Sequence, residues 1–248
     1  MKTLAVYNVK GGVGKTATSI NLAYLSAQRG QATLVWDLDP QGAASWTLQA
    51  KTAESADKTL WRGDTPVAGL IQNTAYPKLD VLPADLASRN VDVWLRKGEV
   101  SHEALRQRLK PLAEKYALVV LDCPPSLSHL ADNIFAAADL VLVPVVPAQL
   151  SLRALKALID YFKERDLPRT KLKPFWSMVD RRRLLHKLLL EQPPKPMRDV
   201  CKAWIPYSSA VERMGEQRAP LEASEPASFA AESYRALWKE LSPLLRKS

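Results

Sequence analysis

The fold class that the sequence predicts is α/β, a doubly wound, mostly parallel sheet flanked by helices, and three observations predict it. An apolar run at 3–6 enters a glycine-rich turn, a helical stretch follows, and a second apolar run comes at 33–36. Strand, loop, helix and strand in that order form a βαβ unit, whose crossover makes the two strands parallel. The runs at 117–121 and 140–146 are almost unbroken Val and Leu, the pattern of strands covered on both faces. Strands and helices then alternate, without an internal repeat or low-complexity tract, so the ligand loops are expected at the carboxyl ends of the strands. The 248 residues fit one large domain, expected to span 1–248.

Taken in order, the first strand covers 3–6 and the first helix 15–29, with Ile20, Ala23, Leu25 and Ala27 among its apolar positions and Gly30 as its stop. The second strand, 33–36, includes Trp36, read as core, and ends at Asp37-Leu38-Asp39-Pro40-Gln41-Gly42. Residues 43–78 have no clear period and read as irregular with short helices. A strand follows at 79–82, and Ser101 is the expected N-cap of a helix reaching Leu112. The two Val/Leu strands each end in prolines, Pro124-Pro125 and Pro144/Pro147, which end or redirect the chain. Beyond them the expectation is a helix at 149–165, a strand at 174–179, a leucine-rich helix at 181–191, a short strand at 203–205 ended by Pro206, and helices at 209–217 and 228–241.

Composition narrows the function classes. No apolar run is long enough to cross a bilayer, and Met1-Lys2 leads straight into the first strand without a secretory pattern. Cys123 and Cys201 lie far apart, so neither a disulfide framework nor a zinc ribbon nor a cluster-ligating pair is supported, and a reducing cytoplasm is expected. His102, His129 and His186 lack ligand or triad spacing. The net charge of +9 is concentrated: residues 1–149 carry 15 basic and 14 acidic side chains, 150–218 carry 16 and 8, and 219–248 carry 4 and 4. A localised basic segment points to a polyanionic partner.

The chemistry is concentrated in the first turn. Gly11, Gly12 and Gly14 allow positive φ and close approach of backbone to ligand, so that N–H groups of the loop and of the helix start converge on an anion. Lys15 adds a mobile positive charge, and the Thr16 hydroxyl is suited to Mg²⁺. Glycines alone would fit any tight strand-to-helix turn; Gly-Lys-Thr between a strand and a helix makes the loop a phosphate cradle. The strict G-x-x-x-x-G-K-[ST] pattern would need glycine at Val9, and the next residue here is Lys10. Asp122 closes one Val/Leu strand, where a carboxylate faces the metal through water, and Asp37 and Asp39 end the second strand, where they help hold the metal's water shell and the attacking water.

Lys10-Gly11-Gly12-Val13-Gly14-Lys15-Thr16, Asp37-Leu38-Asp39-Pro40-Gln41-Gly42 and Asp122-Cys123-Pro124-Pro125-Ser126 together resemble the ParA/MinD family of deviant Walker ATPases, nearest its ParA/Soj partition branch. Val81-Leu82-Pro83-Ala84, Val143-Pro144-Val145-Val146-Pro147 and Ile205-Pro206 extend the resemblance over almost the whole chain. It implies a weak, partner-stimulated ATP hydrolase using Mg²⁺, which forms a homodimer around ATP. It further implies that Lys10 reaches the partner's phosphates, that Lys15 and Thr16 serve their own nucleotide, and that Asp39 positions the water. Asp37 and Asp122 would support the metal, residues 10–17 would line the phosphates, and Pro206 would lie near the adenine. Two departures stand out: Ala17 lacks a hydroxyl for the α-phosphate, and Tyr207-Ser208 follows Pro206 where Arg-Asn is common.

The basic segment is then expected to bind double-stranded DNA without sequence preference, through Arg181, Arg182, Arg183, Lys187, Arg198, Lys202, Arg213 and Arg218. With the first strand directly at the start of the sequence, no helix-turn-helix reader is expected before it. The expectation is a cytoplasmic, nucleoid-associated ATPase that positions or segregates a plasmid, a chromosome or a protein complex with a ParB-like or cargo-bound adaptor. The alternative is a MinD-like membrane-associated positioning ATPase. Trp238, Leu241, Leu244, Leu245, Arg246 and Lys247 give a weak amphipathic end for that role, interrupted by Pro243.

Overall fold

Alternate residues of the strands feed two different cores. In strand β5 (Leu118–Asp122), Leu118 and Val120 belong to one apolar cluster while Val119 and Leu121 belong to another. The same division holds in β1 (Lys2–Val6), where Leu4 and Val6 face one side and Ala5 the other. Successive side chains of a strand point to opposite faces, so unbroken apolar runs are the sequence expression of a sheet sandwiched between helical layers. The computed structural model describes residues 1–51, 58–84 and 90–245.

With β2 (Thr33–Asp37), β3 (Gln72–Asn73), β4 (Leu79–Leu82), β6 (Leu140–Val145) and β7 (Leu172–Trp176), the sheet runs β3-β4-β2-β5-β1-β6-β7. Every pairing is parallel except β3 with β4. β1 lies inside the sheet between β5 and β6, so the loop after it opens at the centre of the carboxyl edge. Helix α1 (Lys15–Gln28) returns the chain from β1 to β2 and packs on the Leu4/Val6 side through Ile20, Leu22, Ala23 and Leu25. Gly30, at φ +85, stops it as expected.

Among the described residues α2 (Ala43–Thr47), α3 (Lys58–Arg62), α4 (Val91–Arg96), α5 (Ala104–Leu109) and α6 (His129–Ala137) follow, and α7 (Gln149–Glu164) leads into β7. α7 buries Leu152, Leu155, Leu158 and Phe162, a three-to-four-residue spacing that sets one stripe on the core. Each such side chain contributes roughly 1.5–3 kcal/mol, so Leu155→Asp would break this layer first. After β7 come α8 (Leu184–Glu191), α9 (Ser209–Gln217), α10 (Leu221–Ser224) and α11 (Phe229–Leu241). Tyr234, Leu237, Trp238 and Leu241 of α11 lie in the same cluster as α1.

Several elements differ from the sequence reading for identifiable reasons. The helix expected from Ser101 to Leu112 is split, because Pro111 lacks the N–H that continues an α-helix; Lys110–Glu114 is a 3₁₀ turn. β7 starts at Leu172 and ends at Trp176 instead of covering 174–179; Pro174 is tolerated because β7 is an edge strand. Residues 203–205 form no strand of their own, although the segment runs along β7: the Cys201 amide donates to the Pro174 carbonyl (2.9 Å), the Ile205 amide to the Trp176 carbonyl (2.9 Å), and Val179 bridges Pro206 in parallel. The leucine-rich helix begins at Leu184, not at Arg181, because Asp180 folds the arginines into a turn, its carboxylate accepting from the Arg182 amide (3.0 Å) and its carbonyl from the Arg183 amide (3.0 Å). Helices α4, α6 and α10 and strand β3 were not foreseen.

Candidate active site

The loop after β1 is held from three sides. Asn8 donates from Nδ2 to the Pro144 carbonyl (2.7 Å) and accepts the Lys10 amide on Oδ1 (2.9 Å), while Ser177 donates its hydroxyl to the Val13 carbonyl (2.8 Å). Gly12 and Gly14 take φ +67 and +89, so the two glycines are required by the backbone itself. A Cβ on Gly11 or Gly12 would meet nothing within 4 Å, whereas one on Gly14 would come within 3.1 Å of Ser177 Oγ. The first pair therefore borders open space and Gly14 is packed. Gly14 is also the N-cap of α1, whose 14 residues direct their free N–H groups and dipole at that space.

Lys15 is buried with its ammonium hydrogen-bonded to the Lys10 carbonyl (3.2 Å); burial lowers its pKa against the opposing pull of Asp122 and Asp39. Lys10 itself is exposed at the rim. Thr16 donates its hydroxyl to Asp122 Oδ2 (2.8 Å), and Ser19, one turn on, donates to Asp122 Oδ1 (2.9 Å). Asp37 accepts the Ser45 amide (2.8 Å) and hydroxyl (2.7 Å) on Oδ2. Burial raises the pKa of both carboxyls, and at Asp122 the charge of Asp37 adds to the rise while the two hydroxyls oppose it. Asp39 is half-buried and accepts the Gln41 amide (3.0 Å), which shapes its own turn.

This donor set fits a hydrated Mg²⁺. Asp122 accepts the hydrogen bond of the Thr16 hydroxyl, which leaves the Thr16 oxygen lone pairs for a cation. On the other flank of Gly14, a cleft is walled by Ser177, Pro206, Ser208, Val211 and Glu212.

The AAA domain family matches residues 1–173. Chromosome partitioning protein ParA of Myxococcus xanthus is 33% identical over 97% of this chain and 87% of its own length. Sporulation initiation inhibitor protein Soj of Bacillus subtilis is 31% identical over 97% of this chain and 98% of its own. The chain belongs to the ParA/MinD family of P-loop ATPases. Members of this family hydrolyse nucleotides. The ATP complex of a Cyanothece McdA variant superposes with a TM-score of 0.82 over 100% of this chain and 98% of that one; at 20% identity the likeness is one of fold.

Of the ParA/MinD motif residues, the structure brings together Lys10, Lys15, Thr16, Asp37, Asp39 and Asp122 at one edge, with Pro206 beside the loop. Ala17 is partly buried against the α1-side core. Sequence reasoning missed Asn8, Ser19, Ser45 and Ser177. Only Ser19 had a signal, its i,i+3 position from Thr16 on one helix face.

The eight basic residues expected on DNA do not form one free set. Arg182 is paired with Asp180, Arg213 makes a bidentate pair with Glu225 (2.9 and 2.8 Å), and Arg218 lies over the Trp46 ring. Arg181, Arg183, Lys187, Arg198 and Lys202 are exposed. Leu184, Leu185 and Leu188 of α8 are exposed among them. Of the apolar residues at the end of the chain, Trp238, Leu241 and Leu245 are buried and Leu244 is exposed; Arg246 and Lys247 lie outside the described residues. Among the described residues no helix is long and apolar enough to cross a membrane.

Proposed function

We propose that the protein is a ParA-like ATPase that dimerises around two Mg²⁺-ATP, binds double-stranded DNA non-specifically, and positions or segregates a cargo over the nucleoid. The observation that carries the ATPase half is the Asp122–Thr16–Lys15 arrangement beneath an open glycine loop at a helix N-terminus. Lys15 and the loop amides hold the phosphates, Thr16 ligates the metal, and Asp122 and Asp37 hold its surroundings. Asp39 orients the attacking water, and Pro206 borders the base. When bound, Mg²⁺ neutralises charge between the phosphates. Lys10, exposed at the rim, is available to the nucleotide of a second copy. Turnover is weak until an adaptor carried by the cargo, ParB-like in role, acts on it.

The DNA half is supported by the exposed Arg181, Arg183, Lys187, Arg198 and Lys202 in the segment holding the excess positive charge. Two such surfaces in one dimer gain avidity, so DNA retention follows ATP binding. The names of the ParA and Soj relatives, which describe chromosome partitioning and sporulation control, agree with a cytoplasmic positioning role.

One observation favours the second reading, a MinD-like membrane-associated ATPase: Leu184, Leu185 and Leu188 face outward among cations, as in a short interfacial helix. Co-sedimentation of the ATP-loaded protein with DNA and, separately, with anionic liposomes tests both. Retention on DNA alone supports the partition reading, and retention on liposomes alone replaces it with the membrane one.

A further inference from the structure

We propose that Trp46 and Arg218 are positioning residues, which tie the seating of the carboxylate loop at 37–42 to helix α9 and, through α9, to the base-side cleft. The inference rests on the nucleotide reading above and adds to it a coupling between its two halves. Its centre is α2, which directs two neighbouring residues to opposite sides. Ser45 points inward, where its amide and hydroxyl hold Asp37 and its oxygen accepts the Ala84 amide (2.8 Å). Trp46 points outward and is 58% exposed.

An indole that exposed adds little to the core, and yet it is fixed by a set of directed contacts. Trp46 Nε1 donates to the Gly215 carbonyl (3.0 Å), and the Trp46 carbonyl accepts from Arg218 Nε (3.0 Å). The Arg218 guanidinium lies 4.1 Å from the ring centroid, and Gln49 donates to the Arg218 carbonyl (3.0 Å). Arg218 caps α9 at φ +49, a left-handed position that favours glycine. The charge of Arg218 is directed at Trp46, which distinguishes it from the exposed cations of the same segment.

The opposite end of α9 reaches the cleft beside Gly14. Ser208, its N-cap, and Val211 and Glu212 in its first turns wall that cleft with Pro206. Nine helical residues, roughly 13 Å of rigid rod, therefore join the base side to the clip. A shift of the cleft wall on nucleotide entry is carried by contiguous contacts to α2, to Ser45 and to Asp37, next to Asp39.

The test uses Trp46→Ala, Arg218→Ala, the double variant and Trp46→Phe, each as the full chain, with a fluorescent ATP analogue for binding and hydrolysis at saturating Mg²⁺-ATP for kcat. The analogue should bind each variant within about threefold of wild type, while kcat falls by about tenfold or more in either alanine variant and no further in the double. Trp46→Phe, which keeps the ring but loses the N–H, should fall between. Wild-type kcat in both alanine variants would overturn the coupling and leave the nucleotide reading intact. A joint loss of binding, kcat and melting temperature would reduce the clip to scaffolding, and Trp46→Phe checks this if an alanine variant does not fold. If the wild type itself fails to bind the analogue, the nucleotide reading falls and the coupling with it.

Discussion

Asp37 and Asp122 are register partners on the last rung of the β2–β5 ladder, two carboxylates side by side in the buried part of the sheet. Such a pair is unfavourable unless hydroxyls, amides and a cation compensate. Asp122→Asn keeps the shape and removes one charge. It should weaken the Mg²⁺ dependence of nucleotide binding and lower hydrolysis by about a hundredfold, on the order of 3 kcal/mol of lost electrostatic stabilisation. A Mg²⁺ titration of nucleotide binding, followed by a turnover assay, would show it, and a normal Mg²⁺ response would remove Asp122 from the site.

The two loop lysines should separate cleanly. Lys15→Ala removes a buried charge-assisted contact worth about 2 kcal/mol or more, so nucleotide affinity should drop by roughly thirtyfold at least. Lys10→Ala should retain most of the affinity, because Lys10 is exposed at the rim, and should lose ATP-dependent dimerisation. Equilibrium binding beside analytical ultracentrifugation resolves the two; a Lys10 variant that still dimerises and turns over contradicts the role in trans.

Asp39→Ala should bind Mg²⁺-ATP normally and hydrolyse it at least about tenfold more slowly, the scale of a lost water-orienting group. The ATP dimer would then persist on DNA. Normal hydrolysis in this variant would mean that another group orients the water.

On the basic surface, Arg181→Ala with Arg183→Ala should make the slope of log affinity against log salt shallower by roughly 2, if each arginine neutralises one phosphate. Arg213→Ala should change the slope little, since Glu225 already pairs that guanidinium. Electrophoretic shifts across a salt series decide this, and equal slopes for all variants would move the DNA surface elsewhere.

His186 gives a pH dependence with a definite sign. It is buried, its Nδ1 accepts the Asp180 amide (3.0 Å), and burial, followed by the Arg183 charge, lowers its pKa. The unfolded chain, with an ordinary histidine near 6.5, thus binds more protons than the folded one below that pH. Stability is fully present above about 6.5 and should be lost as pH falls from there through the lower folded value. Asp37 and Asp122, whose pKa values burial raises, contribute with the opposite sign over the same range, so the readout is a difference: in thermal melts between pH 7.5 and 5 the melting temperature of the wild type should fall relative to that of His186→Ala as pH is lowered, and a constant difference would remove His186 as the source.

The parts of this molecule that were legible in the sequence are those whose signal is local. Val119, Val120 and Leu121 announce a strand buried on both faces, and Gly12-Val13-Gly14-Lys15-Thr16 announces its loop without reference to anything distant. Ser45 and Ser177 were not legible, and Ser19 only through its helical offset from Thr16, because a serine acquires its role from an acceptor brought to it by the fold: Asp122 is 103 residues away from Ser19, and the Val13 carbonyl 164 from Ser177. The leucines of α8 show the same limit from the other direction. Their periodicity defines a face, and only packing decides that Leu184, Leu185 and Leu188 turn away from the core. Arg213 and Arg218 were counted as free charge, since nothing in their neighbourhood of the chain reveals Glu225 or Trp46.

The carboxylates of this edge differ in how firmly they are founded. Asp122 sits in an interior strand with no exposed surface, gripped by two hydroxyls from α1, and displacing it means displacing the sheet. Asp39 stands two residues beyond the end of β2, half-buried, in a turn that its own carboxylate shapes. In the proposed ATPase, the anchoring of the ion and the timing of the reaction would thus rest on ground of different stiffness. An adaptor pressing on the turn at 39–42 could set the clock of hydrolysis while the grip on the nucleotide stayed as it was.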